Sequence, residues 1–302
     1  MRPTKRARHS TRKRIRTDKR AALYRSAIPK EKRLWRVPDE RGMYETLRSL
    51  GWGWDSQLKQ EIAPQSKGLS KKLGIERGSQ ILFFAGCFGD WANALARDGI
   101  RVVYSDASPD MVRGIKESEK GKKFESARVF EASQWPRKPN DYDWSVSFEP
   151  LPIVDSGLTL GLMRSLLNRK GGKVVYGENS QGAISLTLEA MKKISKLYGA
   201  THGKKEVMVR DVRGWKEKVI VLTLKTNENA RRKAWIDIQV LKAVRSGRKL
   251  REERELTLEE LLKSERIKRL RISKEELVES LNRLEVLASL IYRYRKTSQI
   301  TS

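Results

Sequence analysis

The stretch from Ile81 to Asp106 constrains this chain more than any other. Ile81 to Ala85 is an unbroken apolar run, as expected of a parallel strand buried on both faces. The small residues Ala85-Gly86-Cys87 and then Gly89 follow, where the backbone must turn sharply and leave room for something bulky. Ala92, Leu95 and Ala96 recur at helical spacing, and Gly99 stands where such a helix stops. Ile100 to Tyr104 is a second apolar strand, closed by Asp106. A strand, a small-residue turn, a helix and a second strand ending in an acid form a nucleotide-binding half-unit. A carboxylate at that point can accept both hydroxyls of a ribose.

These residues carry a family resemblance. Val103-Tyr104-Ser105-Asp106-Ala107-Ser108-Pro109-Asp110-Met111-Val112 is similar to the second motif of class I S-adenosylmethionine (SAM)-dependent methyltransferases, with Asp106 at the ribose position. Laid on the family's acidic-x-Gly-x-Gly-x-Gly turn, the chain has Phe83 at the acid, Ala85 and Cys87 at the first two glycines, and Gly89 at the third. The resemblance implies SAM as cofactor, held by Ala85, Gly86, Cys87, Gly89, Asp106 and Ala107. It extends that set to Glu131 and Ala132, where the family often places an acid for the adenine amino group, although an acid at a strand end is common for other reasons. Cys87 is expected to be a small residue beneath the cofactor rather than a nucleophile.

The resemblance also implies an α/β fold: a Rossmann-like, seven-stranded, mostly parallel sheet with helices on both faces. The residues agree with it from about 60 to 225. Helices are expected within Gln57 to Gly74, over Met111 to Glu119, Leu158 to Leu167 and Ile184 to Tyr198. Strands are expected over Ala127 to Ala132, Asp143 to Phe148 and Val174 to Gly177, the last after a turn at Arg169 to Lys173. Val207 to Val212 and Val219 to Leu224 alternate around Gly214-Trp215 and read as an antiparallel hairpin closing the sheet. After the fourth strand stands Glu149-Pro150-Leu151-Pro152, where relatives acting on base amino groups carry Asn or Asp followed by two prolines and an aromatic. Glu149 is the candidate catalytic residue, as an acceptor for a target amine or nitrogen; capping the next element is the other reading.

The formal net charge of +28 over 302 residues makes a polyanion the expected partner. Residues 1–36 hold 15 Lys or Arg against Asp18 and Glu31. The clusters Lys5, Arg6, Arg8 and Arg12, Lys13, Arg14, Arg16 have almost nothing apolar to bury beside them, which predicts a flexible arm that neutralises phosphates. A nuclear-targeting tract or an Arg-rich transit peptide would read similarly. Next, Glu40 to Leu50 reads as a short helix. Trp52 and Trp54 follow it, to stack on bases or cofactor or to cover an edge of the core. A single cysteine argues against disulfides and, with two histidines, against a metal site, and points to a reducing, cytoplasmic setting. No stretch approaches the roughly 20 apolar residues of a membrane span.

Three segments are therefore expected: a basic arm (1–36), a methyltransferase-like domain (37–225) and a helical C-terminal module (226–302). In the module, Leu256 to Leu262 and Ser273 to Leu287 read as helices, the second with a capping box of Ser273 and Glu276. Leu290 to Arg295 reads as a basic strand, which would give the module a winged-helix character. However, the candidate recognition helix carries Glu275, Glu276, Glu279 and Glu285, which a major groove repels. Packing on the sheet domain, on a protein partner or on a second copy is the other expectation. Together these features predict a SAM-dependent methyltransferase acting on RNA, preferred over DNA for want of a groove-reading helix. The alternative is a catalytically inactive, methyltransferase-like nucleic-acid-binding protein, ribosome- or chromatin-associated.

Overall fold

A computed structural model describes residues 68–84, 89–106, 109–118, 121–129, 141–148, 155–210, 216–250 and 258–300. The basic arm, the helix expected at Glu40 to Leu50, Trp52 and Trp54 lie outside the described residues. So do Ala85, Gly86, Cys87, Ala107, Glu131, Ala132 and Glu149.

The half-unit folds as its pattern dictates. After a one-turn helix α1 (Leu69–Leu73), strand β1 (Gln80–Phe83) leads through the turn into α2 (Asp90–Arg97) and on to β2 (Arg101–Asp106). Asp98, just past α2, accepts the backbone N–H groups of Gly68 and Ser70 at 3.0 and 2.8 Å, capping α1 and fixing it beside α2. Helix α3 (Pro109–Glu117), β3 (Ser126–Val129) and β4 (Trp144–Phe148) follow. Next come α4 (Asp155–Ser165), β5 (Gly171–Gly177) and α5 (Gln181–Tyr198). The hairpin is β6 (Thr201–Arg210) with β7 (Lys216–Lys225). Strand β5 starts at Gly171, inside the turn expected at Arg169 to Lys173.

The sheet order is β3-β2-β1-β4-β5-β7-β6. Strands β1 to β5 pair in parallel and β7 runs antiparallel to both its neighbours, so β6 again points the way of β5. Seven strands, mostly parallel and closed by a reversed hairpin, are the Rossmann-like arrangement that the resemblance implied.

Two helical layers cover this sheet. Residues of α1, α2 and α3, among them Leu69, Leu95 and Ile115, share one core with Ile81, Phe83, Val146 and Val175. On the other face, α4 and α5 pack on Val174, Tyr176, Ile220 and Leu222. Neighbouring residues of β5 and β7 thus feed opposite cores, as the pleat requires.

Among the described residues four helices follow β7: α6 (Glu228–Leu250), α7 (Leu258–Lys263), α8 (Glu265–Leu270) and α9 (Lys274–Ile300). Their buried residues, including Ile238, Leu261, Ile267, Leu277 and Leu284, join the same core as α4 and α5. The capping box is present: the Glu276 N–H donates to Ser273 Oγ and the Ser273 N–H to Glu276 Oε2, each at 3.1 Å. The strand expected at Leu290 to Arg295 is not there. Helix α9 runs on through it to Ile300. Between Lys274 and Ile300 there is neither Gly nor Pro, so nothing in the sequence stops the helix, and the winged-helix expectation falls with the strand.

Candidate functional site

The parallel strands end together at one rim of the sheet, and between β1 and β4 the chain's path across the sheet reverses. A crevice outside the strand ends at such a switch point is where doubly wound sheets bind ligands. The described residues at this rim come from β1, β2, β4 and the start of α2.

Asp106 is the last residue of β2 and is fully buried. Phe83 pairs in register with Tyr104, so β2 projects beyond β1 and carries Asp106 past the end of its neighbour. One residue earlier, Ser105 Oγ donates to the Phe83 carbonyl at 3.0 Å and ties the two strand ends together. The turn after β1 returns at Gly89, whose φ of 68° is left-handed and costs glycine nothing. A Cβ there would stand 2.5 Å from Ile115 Cδ1 and 3.5 Å from the Phe124 ring. Helix α2 starts at once, with the Asn93 N–H donating to the Gly89 carbonyl at 2.8 Å. Asn93 Oδ1 is buried without a donor among the described residues.

Three aromatic rings also stand among the described residues of the rim. Trp91, in the first turn of α2, stacks on Phe148 at the end of β4, with centroids 4.0 Å apart and planes 22° apart. Phe148 in turn stacks on Phe83 at 5.6 Å and 16°. The position aligned with the family's first-motif acid is therefore a buried phenyl ring in an aromatic column. Phe84, the next residue, sends its N–H to the Val146 carbonyl at 3.0 Å, and its ring lies over Gly161 of α4.

Of the residues singled out in the sequence, Asp106 and Gly89 are brought to one rim by β2 and α2. The other six of the cofactor set, Glu149 and the arm residues fall outside the described residues. Sequence reasoning overlooked Ser105, Trp91 and Phe148. An aromatic at the end of each of β1 and β4 is the only signal that would have suggested the column. Among the described residues no group of acids, histidines or cysteine is placed to hold a metal, and no helix is long and apolar enough to cross a membrane.

No protein-family model and no curated protein matches the chain. Solved structures do. Magnesium protoporphyrin IX methyltransferase from Synechocystis, with bound S-adenosylhomocysteine, shares 14% identity over 49% of this chain and 74% of its own, with a TM-score of 0.36. A SAM-dependent methyltransferase from Aquifex aeolicus gives 16%, 51%, 87% and 0.38 in the same order. A complex of the Haloferax volcanii Trm112 methyltransferase activator with a methyltransferase gives 13%, 53%, 89% and 0.39. These likenesses are loose, and the functional reading rests on the chain's own sheet order and residues.

Proposed function

We propose that the chain is a SAM-dependent methyltransferase acting on RNA. The observation that carries this is the sheet itself. Its order β3-β2-β1-β4-β5-β7-β6, with β7 reversed, puts Asp106 at the tip of β2 beside the turn that ends at Gly89.

The described residues fit the ribose end of the cofactor. A carboxylate ends β2, a left-handed glycine opens α2, and Asn93 Oδ1 lacks a donor among the described residues. Asp106 would hold the ribose, with Ala107 beside it, over the turn of Ala85, Gly86, Cys87 and Gly89; Glu131 and Ala132 would border the adenine. SAM, when bound, supplies a methyl group already activated on a sulfonium. The protein's work is then to position the acceptor in line and exclude water. Trp91 and Phe148 line that rim with apolar surface, and Glu149, one residue beyond Phe148, would accept a hydrogen bond from the target amine or nitrogen.

RNA as the substrate rests on charge. The net +28, nearly half of it in residues 1–36, favours phosphate-rich partners, with Lys5, Arg6, Arg8, Arg12, Lys13, Arg14 and Arg16 gripping the backbone. On α9 the side chains of Val278 and Val286 are exposed, a face suited to a protein partner or a second copy.

One observation favours a second reading, a non-catalytic RNA-binding protein on the same fold. Phe83 stands buried where relatives place an acid, and no carboxylate replaces it among the described rim residues of β1 and β4. The deciding experiment incubates the protein with methyl-tritiated SAM and total RNA. The proposal expects label in RNA, lowered about 10²-fold or more by Glu149→Gln. Absence of label, with RNA binding intact, would favour the second reading.

A further inference from the structure

Beyond β4, strands β5, β7 and β6 carry a group of lysines that the methyl-transfer chemistry does not use; through the register Lys173 lies level with Phe83 and Lys205 level with Phe148. Lys173 is on β5, and the register sets it opposite Thr223 of β7, itself opposite Gly203 of β6. Lys225 and Lys205 are two residues from these positions on the same face, so three ammonium groups surround Thr223. Helix α1 borders this group: Lys72 Nζ donates to the Met208 carbonyl at 2.9 Å, Lys205 Nζ donates to the Lys72 carbonyl at 3.4 Å, and a Cβ on the capping Gly74 would stand 3.9 Å from Lys173 Nζ. Thr201 to Glu206 are all exposed.

Lys173 is the unusual member. It is only 6% exposed, and its Nζ lies 4.1 Å from the centroid of the Trp144 ring. No carboxylate pairs with Lys173, Lys205 or Lys225 among the described residues. Glu76, two residues past the α1 cap, is engaged with Lys170 at 2.6 Å. Trp144 Nε1 is also buried with no acceptor among the described residues. Burial, then the fields of Lys225 and Lys205, push the Lys173 ammonium down to about 8. A sheet face that gathers like charges and withholds anions from them is complementary to an anion from outside.

We infer that this face of β5, β7 and β6, built on Lys173, Lys205 and Lys225, is a second contact for the phosphate backbone of RNA, displaced across the sheet from the end of β1 by roughly 10 Å at β5 and roughly 20 Å at β6. It rests on the proposal that RNA is the partner.

The test measures binding of a short fluorescein-labelled single-stranded RNA to the full chain over a range of salt. The exposed pair is replaced in Lys205→Gln/Lys225→Gln. A control of equal charge change on α5 is Lys192→Gln/Lys196→Gln. The inference expects the slope of log affinity against log salt to fall by about 1.4 in the first variant and to hold in the control. Lys173→Gln should weaken RNA binding several-fold at a pH below 8, with thermal unfolding confirming a folded protein. Equal losses in both double variants would mean the general field of the chain, and no loss in either would mean no contact; each overturns the inference. SAM titration of the same variants keeps the two proposals separate, because loss of the lysine contact leaves SAM binding unchanged.

Discussion

Arg283 of α9 grips Asp237 of α6 with two N–H groups: Nε donates to Oδ2 at 2.9 Å and Nη2 to Oδ1 at 2.8 Å. The Tyr198 hydroxyl at the end of α5 donates to Oδ2 at 2.7 Å. Asp237 is fully buried, so these three groups fasten the C-terminal helices to the helix that covers the sheet. Burial pushes the Asp237 carboxyl up, and the hydrogen bonds from Arg283 and Tyr198 work against that push.

Removing one partner leaves the other buried and unpaired. Asp237→Ala is expected to cost about 3–5 kcal/mol in denaturant unfolding. Tyr198→Phe, which removes one hydrogen bond to a charged acceptor, should cost about 1.5–3 kcal/mol. An Asp237→Ala protein as stable as the wild type would mean that the C-terminal helices are not held this way.

Gly89→Ala tests the turn. The left-handed backbone costs an L residue about 1–2 kcal/mol, and the new Cβ meets Ile115 Cδ1. The variant should unfold at correspondingly lower denaturant and lose affinity for SAM beyond that loss. Unchanged stability and affinity would show that the turn relaxes freely.

Lys173 makes stability rise with alkaline pH. Its folded-state value near 8 lies below the ordinary 10.5. Below pH 8 both states keep the proton and the full burial penalty is carried. Between about 8 and 10.5 the folded protein releases its proton first, the unfolded chain binds more, and stability increases with pH by up to about 3 kcal/mol. Lys173→Met should be the more stable protein below pH 8, with the gap closing by pH 10.5 in parallel unfolding curves. A gap that does not change with pH would contradict this.

What was legible in the sequence follows burial. Strands β1 and β2 are buried on both faces and carry apolar runs that stand out, in β4 Trp144, Val146 and Phe148 alternate with serines, and the acid closing β2 marks the rim. Strand β6 was read only from Val207 onward. Its first half, Thr201 to Glu206, is exposed and polar and pairs only along β7, so no hydrophobic pattern records it. Helix α6 went unread because its charges are scattered and its inward stripe opens on Ala230 and Ala234, residues too small to mark a face. The stretch Tyr292 to Arg295 alternates aromatic and basic, mimicking a strand, while the backbone continues a helix started far upstream. At the candidate site, Asp106 and Gly89 announce themselves through motif position. The Trp91–Phe148–Phe83 column joins elements distant in sequence, and only the fold brings them together.

On the proposed reading this fold still binds SAM despite Phe83 in place of an acid. Calorimetric titration of SAM into the intact protein, beside Asp106→Ala, tests it most directly. The account predicts micromolar binding with one site, abolished in the variant while its thermal unfolding remains cooperative. Absence of heat with the intact protein, or equal binding by both, would contradict it.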